Sequence, residues 1–418
     1  MAQVGADGAV GGAGALPRSV RGLRAPEAGR GRSGGRVVHL RAGGDEGERR
    51  ARLGRRVEAG RVRHAAHELC ALEFYLTRTQ NVILIGRPLE DMKLSFIDLF
   101  CGIGGFRIAA TQVFGKHSIE SECVFSSDID PYAREAYHAN FDEYPAGDIT
   151  KIQSELIPDH DLLFAGFPCQ PFSIIGHKKG FEDARGTLFF DVARILEAKK
   201  PKAFILENVK QLASHQDGHT LKRIMESLRG IGYHVDKKIL NALDYGLPQK
   251  RERVFIVGSL QPIDFAFFWP AKQQHRKPLS EILETEVDPK FYASEYIQDR
   301  RKLRHQSRYH PSIWHENKAG NVCSYPYSCA LRAGASYNYL LVNGERRLTP
   351  REMLRLQGFP DSYRIAVSES QTRKQAGNSV PVNVVCAILE SLLPTLLGPS
   401  KSRNTTSSAS VHRLDTYV

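Results

Sequence analysis

The chain reads as an α/β protein: a doubly wound, mostly parallel sheet joined to a second, smaller and irregular region. Three observations predict this. Short apolar runs alternate with amphipathic stretches from residue 93 to about residue 260. The first apolar run ends in a glycine-rich turn that opens a helix. From Gln261 to Arg346 that rhythm is lost, and aromatic, His, Arg and Asn residues mix without period.

The elements follow in order. "LSFIDLF" (94–100) is a buried strand, and "CGIGG" turns the chain into a helix from Phe106 to about Phe114. "CVFSSD" (123–128) is a second strand, and Pro131 lies near the first turn of the next helix. "DLLFAG" (161–166), "AFILEN" (203–208) and "RVFIVGSL" (253–260) are further strands. "GTLFFDVARILEAKK" (186–200) and "TLKRIMESLRG" (220–230) are helices, the second ending at a glycine. In "RLTPREMLRLQGFP" Thr349 is an N-cap, Pro350 suits the first helical position and Glu352 completes a capping box. Leu348 and Met353 stand where a hydrophobic staple would, and Gly358 is the stop. "VNVVCAILESLLPTLL" is a last apolar helix.

The two ends differ. Residues 1–60 hold no Phe, Tyr or Trp, and 12 Arg against 6 acidic residues, a net of 12 − 6 = +6. That is half of the chain's +12, so the basic balance argues for a polyanionic partner less strongly than it first seems to. Disorder is expected to residue 92, with an Arg-rich nucleic-acid arm and an extension upstream of Met92 as the other readings. The Ser/Thr-rich residues 399–418 are expected to be disordered as well. Seven cysteines, an odd number, show no CxxC and no paired His/Cys pattern, which predicts a reduced intracellular protein without metal. No apolar run reaches the roughly 18 residues of a membrane span, and the N-terminus lacks a signal-peptide core.

Four places carry chemistry. Gly102, Gly104 and Gly105 permit a ligand to approach the main chain at the end of the first strand, although a tight turn without a ligand has the same composition. The full G-x-G-x-x-G and G-K-[ST] patterns are missing, which disfavours a phosphate cradle. Asp128 ends the second strand, where a carboxylate accepts from ribose hydroxyls, and Asp148 in "GDIT" can accept from an adenine amine. Each alone is commonly a cap or a solvated charge; together they point to an adenosine-containing cofactor. Cys169 stands between Pro168 and Pro171 just beyond a strand. A lone cysteine is usually a small buried hydrophobe, but a proline-stiffened strand-end loop suits a nucleophile. Glu207 ends the next strand, beside that of Cys169 if the sheet is parallel, and Arg251 and Arg253 alternate on one strand face within reach.

The stretches "FIDLFCGIGGF", "GDIT", "GFPCQPFS", "ENV", "QKRERVFIVG", "RLTPREMLRLQGFP" and "GNSVPVNV" resemble, in order, the motif set of the cytosine-5 DNA methyltransferases, especially bacterial enzymes of restriction–modification systems. The likeness runs from about Leu94 to Leu397. It implies a Rossmann-like, S-adenosylmethionine-dependent catalytic domain over 93–260 and 346–398. The irregular 261–345 then becomes a target-recognition domain. Phe100, Gly102, Ile103, Gly104, Gly105, Asp128, Ile129, Asp148 and Ile149 would hold the cofactor, and Asn378, Ser379 and Val380 would close its pocket. Cys169 would be the nucleophile, Glu207 would contact the cytosine ring nitrogen and exocyclic amine, and Arg251 and Arg253 would support the flipped base and its backbone. The implied partner is double-stranded DNA, with a cognate endonuclease acting separately, for a monomeric, metal-free enzyme of the bacterial cytoplasm.

That chemistry accounts for the proline-flanked thiol. A thiolate adding to carbon 6 makes carbon 5 of cytosine enamine-like and able to accept a methyl group, while a proton near ring nitrogen 3 stabilises the developing charge. The base must leave the duplex for this to happen. Two readings compete. RNA relatives of the family carry two prolines before the cysteine and a threonine after the phenylalanine, whereas here Phe167-Pro168-Cys169 and Phe172-Ser173 favour DNA. A non-catalytic DNA-binding relative would usually have lost Cys169, Glu207 or the glycines. A nicotinamide oxidoreductase would show the full glycine fingerprint.

Overall fold

The computed structural model describes residues 93–168 and 188–398. The expectations for residues 1–92 and 399–418, and that for Cys169 with its following proline, lie outside the described residues.

The first half builds the sheet. β1 (Lys93–Leu99) leads through the glycine turn into α1 (Gly105–Lys116), then β2 (Glu120–Ser127) and α2 (Pro131–Phe141). β3 (Leu162–Ala165), α3 (Leu188–Lys199), β4 (Ala203–Val209), α4 (His219–Gly230) and β5 (His234–Asn241) follow. β6 (Gln249–Lys250) is a stub, and β7 (Glu252–Ser259) returns to the sheet. The six strands lie in the order β2-β1-β3-β4-β7-β5. All neighbours up to β4 are parallel, while β7 runs antiparallel to both β4 and β5.

Alternation along the buried strands sends side chains to two faces. Phe96, Phe164, Ile205 and Val257 pack on one face with Phe106, Val113 and Phe114 of α1. Ile97, Leu99, Leu163, Phe204, Leu206 and Ile256 pack on the other with Phe189, Ile195 and Leu196 of α3 and Leu221, Ile224 and Leu228 of α4. The sheet is therefore covered on both sides, as a doubly wound fold requires.

The segment from 261 onward is less regular. It holds α5 (Phe265–Phe268), α6 (Glu295–Arg304), β8 (Ile313–Glu316), β9 (Val322–Tyr325), β10 (Ser328–Cys329) and β11 (Leu340–Val342). β11, β8 and β9 form a small antiparallel sheet, and β10 pairs with β6. The chain then forms α7 (Pro350–Leu356), α8 (Glu369–Asn378) and α9 (Val382–Leu396). α9 lies in the same core cluster as α1, through Val385, Ile388, Leu389 and Leu392, all fully buried. Its apolar length is thus spent inside the protein.

The cap read from sequence is present at α7. Thr349 Oγ1 accepts from Glu352 N at 3.2 Å, Glu352 Oε2 accepts from Thr349 N at 2.8 Å, and Gly358 turns out of the helix at φ +86°. Glu352 is fully buried and is also held by Arg346, whose two terminal nitrogens stand 2.9 and 2.7 Å from its oxygens. Removing one partner of such a pair leaves a buried, unpaired charge. Arg346→Ala is therefore expected to lower stability by about 3–5 kcal/mol in urea unfolding at neutral pH. A loss below about 1 kcal/mol would show that the pair is equivalent to a surface one.

Candidate active site

The ends of β1 and β2 are tied together. Cys101 N donates to Ser127 O at 3.0 Å, and Asp128 accepts from Gly102 N through Oδ2 and from Asp130 N through Oδ1, both at 2.8 Å. Burial pushes the Asp128 carboxyl up, and these two amides oppose it. Phe100, Gly102 and Gly104 all have positive φ, +54°, +54° and +80°. At Phe100, a residue with a bulky side chain, that backbone is strained.

The three glycines of the turn do different work. A Cβ on Gly102 would meet nothing within 4 Å, so a ligand can lie against its main chain. A Cβ on Gly104 would strike the Phe141 ring. One on Gly105 would stand 2.7 Å from Val380 Cγ2 and 3.0 Å from Ser379 Oγ. Gly102 is thus the open one, and Gly105 is where the C-terminal segment closes on the turn. Ile103 and Ile149 are buried in the two core clusters beside this turn.

Other cofactor candidates converge on this crevice. Asp128 N donates to Ala146 O at 3.0 Å, which brings the Asp148 loop beside β2. Asp148 caps the following turn, accepting from Thr150 N at 3.1 Å and Thr150 Oγ1 at 2.8 Å, and these bonds hold its carboxyl below the usual range. Ile129 leaves 72% of its side-chain-rich surface exposed next to Asp128. α8 reaches the same rim, with Lys374 Nζ 2.7 Å from Asp130 Oδ2 and Gln375 Nε2 donating to Tyr132 O at 2.9 Å. Asn378 at its end is exposed, whereas Ser379 and Val380 are buried.

Sequence reasoning missed Asp98. It is fully buried beneath the turn, and neither carboxyl oxygen has a hydrogen-bond partner among the described residues. Burial drives its pKa well up, with Arg107 opposing. Ser127 Oγ is a second unpaired group nearby. The signal was an acidic residue inside an otherwise apolar strand. Two orphaned polar groups, an open main-chain surface at Gly102, a carboxylate at Asp128 and an apolar rim at Ile129 fit S-adenosylmethionine, which is cationic at one end and flat at the other.

The second centre is Glu207. Arg253, across the β4–β7 ladder, puts Nε 2.8 Å from Glu207 Oε1. A Cβ at Gly166 would lie 3.9 Å from Glu207 Oε2, 3.9 Å from Val380 Cγ1 and 3.7 Å from Phe106 Cε2. The end of β3, Glu207 and the 378–380 segment therefore meet at one point. Burial pushes the Glu207 carboxyl up against the pull of Arg253 and Arg251, so it keeps its proton to higher pH than an exposed glutamate. Cys169 itself lies outside the described residues. Its approach is held by Asn208, a buried residue that sequence reasoning passed over, whose Nδ2 donates to Phe167 O at 2.8 Å.

Arg251 and Arg253 both act on Glu207 electrostatically but hold different partners. Arg251 sits at the break between β6 and β7, and its side chain turns inward. Nη1 donates to Leu331 O at 3.0 Å, and Nη2 to Gly377 O at 3.1 Å and Ser379 O at 2.6 Å. Burial lowers its pKa to about 9, Arg253 adds to this and Glu207 opposes it. Its terminal nitrogens are thus turned onto main-chain carbonyls of two other segments.

Comparison with known proteins bears on this geometry. The family model for the C-5 cytosine-specific DNA methylases matches residues 94–393. The type II methyltransferase M.NgoBI of Neisseria gonorrhoeae is 54% identical over 309 residues, covering 73% of this chain and 94% of that protein. M.HaeII of Haemophilus aegyptius is 53% identical over 306 residues, covering 72% and 93%. Among solved structures, S. pombe Dnmt2 methyltransferase superposes with a TM-score of 0.56 at 24% identity, over 73% of this chain and 99% of its own, a likeness of fold alone.

The two arginines should separate kinetically. Arg251→Lys retains charge but loses the three-way fork, so the cofactor and DNA affinities should both weaken, by about tenfold for each 1.4 kcal/mol lost. Arg253→Lys should act chiefly on kcat at saturating substrates. Equal kcat losses with unchanged KM in both variants would contradict this division.

Proposed function

We propose that this chain, which belongs to the C-5 cytosine-specific DNA methylases, methylates a flipped-out cytosine with Cys169 as its nucleophile and Glu207 as its proton donor. The reaction is DNA cytosine-5 methyl transfer. The observation that best supports the residue roles is the meeting of Glu207, Arg253, Gly166 and Val380, three residues ahead of Cys169 in the chain.

Each group has a task. The Cys169 thiolate bonds to carbon 6 of the base and activates carbon 5. Glu207, its proton retained by burial, hydrogen-bonds the ring edge and supplies a proton near nitrogen 3 as charge develops there. Arg253 holds that carboxyl in one orientation. Asn208 fixes Phe167, two residues ahead of Cys169. Phe100, Gly102, Asp128, Ile129 and Asp148, with Asn378 to Val380, would hold S-adenosylmethionine, and Asp98 is buried beneath the same turn. When bound, that cofactor supplies an electrophilic methyl group.

Type II methyltransferases are this chain's relatives, so the biological reading is protection of DNA within a bacterial restriction–modification system, in the cytoplasm. Site choice is assigned to 261–345. Support comes from β10, which joins β6 just ahead of Arg251 and so sets that segment beside the reacting groups.

A duplex carrying 5-fluorocytosine in the methylated site tests the nucleophile. Fluorine leaves no proton at carbon 5 to remove, so the adduct persists through denaturing electrophoresis when S-adenosylmethionine is present. Cys169→Ser should trap nothing, since a hydroxyl is scarcely ionised near neutral pH. Trapping by the serine variant, or methylation of ordinary DNA without any adduct, would rule out Cys169. Glu207→Gln should lower kcat by about 10²–10⁴ while leaving DNA affinity within a few-fold. In Arg253→Gln the alkaline limb of the kcat–pH profile should move upward, because loss of the cation raises the Glu207 pKa further.

A further inference from the structure

The segment Lys272–Lys277, "KQQHRK", is exposed throughout, yet it is fastened at several points. Gln273 N donates to Asp244 O at 2.8 Å and Lys277 N to Gly246 O at 3.1 Å. Lys272 Nζ stands 3.0 Å from Asp244 Oδ2, and just before the segment Tyr245 OH donates to Pro270 O at 3.1 Å. A charge run that merely solvates a surface has no need of such anchoring. The fastening holds Arg276, Lys277 and His275 as a fixed basic edge.

Its position is equally defined. The Arg276 guanidinium lies 5.3 Å from the Tyr327 ring, and Tyr327 stacks on Tyr325 with centroids 5.2 Å apart and planes 16° from parallel. Ser328, next to Tyr327, pairs with Gln249, whose neighbour Lys250 is exposed. From Lys250 the chain runs directly to Arg251 and to Arg253 beside Glu207. Followed residue by residue, the path from Arg253 to the Arg276 guanidinium is at most on the order of 30 Å, about nine base pairs of B-form duplex.

We propose that the edge formed by Arg276 and Lys277, seated on the Tyr325–Tyr327 stack, contacts the DNA phosphate backbone on one flank of the target site. This rests on the reading of DNA as substrate and extends it to a particular surface. The stack fixes the Arg276 plane by a cation–π contact, and the guanidinium N–H edge can donate to a phosphate. Contacts of this kind position the duplex and carry no sequence information.

The test is the salt dependence of DNA affinity for the full chain, by fluorescence anisotropy on a 30-base-pair duplex of mixed sequence between 50 and 300 mM NaCl. Arg276→Ala/Lys277→Ala should reduce the slope of log K against log [salt] by about 2, near 0.9 for each lost phosphate contact. Lys222→Ala/Arg223→Ala on α4, against the opposite face of the sheet, removes the same charge and should leave the slope unchanged. Tyr327→Phe should keep the wild-type slope, and Tyr327→Leu should lose part of the Arg276 contribution. A wild-type slope in Arg276→Ala/Lys277→Ala, or an equal fall in the α4 pair, overturns the proposal while methyl transfer by the wild-type chain stands. Absence of both DNA binding and methyl transfer in the wild type would overturn the methylase reading as well.

Discussion

The Arg251 guanidinium is the interaction on which the rest of the site depends. It joins carbonyls 80, 126 and 128 residues away in sequence. One belongs to the segment after β10, the other two to the end of α8 and the residue that follows it. Main-chain carbonyls here replace water around a buried charge, and loss of the guanidinium would leave three acceptors without donors. The junction is narrow on all sides. A Cβ on Gly377 would run into the main chain at Arg332 and Ala333, and Gln249 reaches both Leu356 O and Leu331 N at 2.9 Å. The β6–β7 junction, the segment after β10 and the end of α8 therefore share one fixed corner.

The Glu207–Arg253 pair beside that corner is not a stability device. Taking both charges from water costs about as much as their attraction returns. What the pair does is set a protonation state. Burial favours the neutral carboxyl, two arginines favour the anion, and burial prevails, so the carboxyl is held above the usual range. An apolar replacement of similar volume could be as stable and would have no chemistry.

Much of this was legible in the sequence, and the exceptions have physical causes. β1, β3 and β4 announce themselves because both of their faces are buried, and α7 because its cap is a local hydrogen-bond pattern. β5 does not, since "HVDKKILN" is a sheet-edge strand with a largely exposed, charged middle. The antiparallel sense of β7 is invisible because an apolar run carries no direction. Arg251 stands at the break between β6 and β7 and Arg253 within β7, and their different partners, main-chain carbonyls for one and Glu207 for the other, carry no signal in the sequence. Arg251 could not have been read as a buried clamp, because its three acceptors are main-chain atoms, which any residue supplies.

The packing of α9 on α1 has a consequence for how the protein comes into being. Glu390 meets Lys116 and His117 at 2.7 Å each, and Cys386 lies against Ala109, so helices more than 270 residues apart complete one layer. Ser379 and Val380, which press on the glycine turn, arrive on the same late stretch. A chain emerging from the ribosome can pair β1 to β4 early, but it cannot assemble the cofactor crevice until synthesis has passed residue 396. A chain that has not yet made α9 would thus leave the α1 side of its sheet exposed.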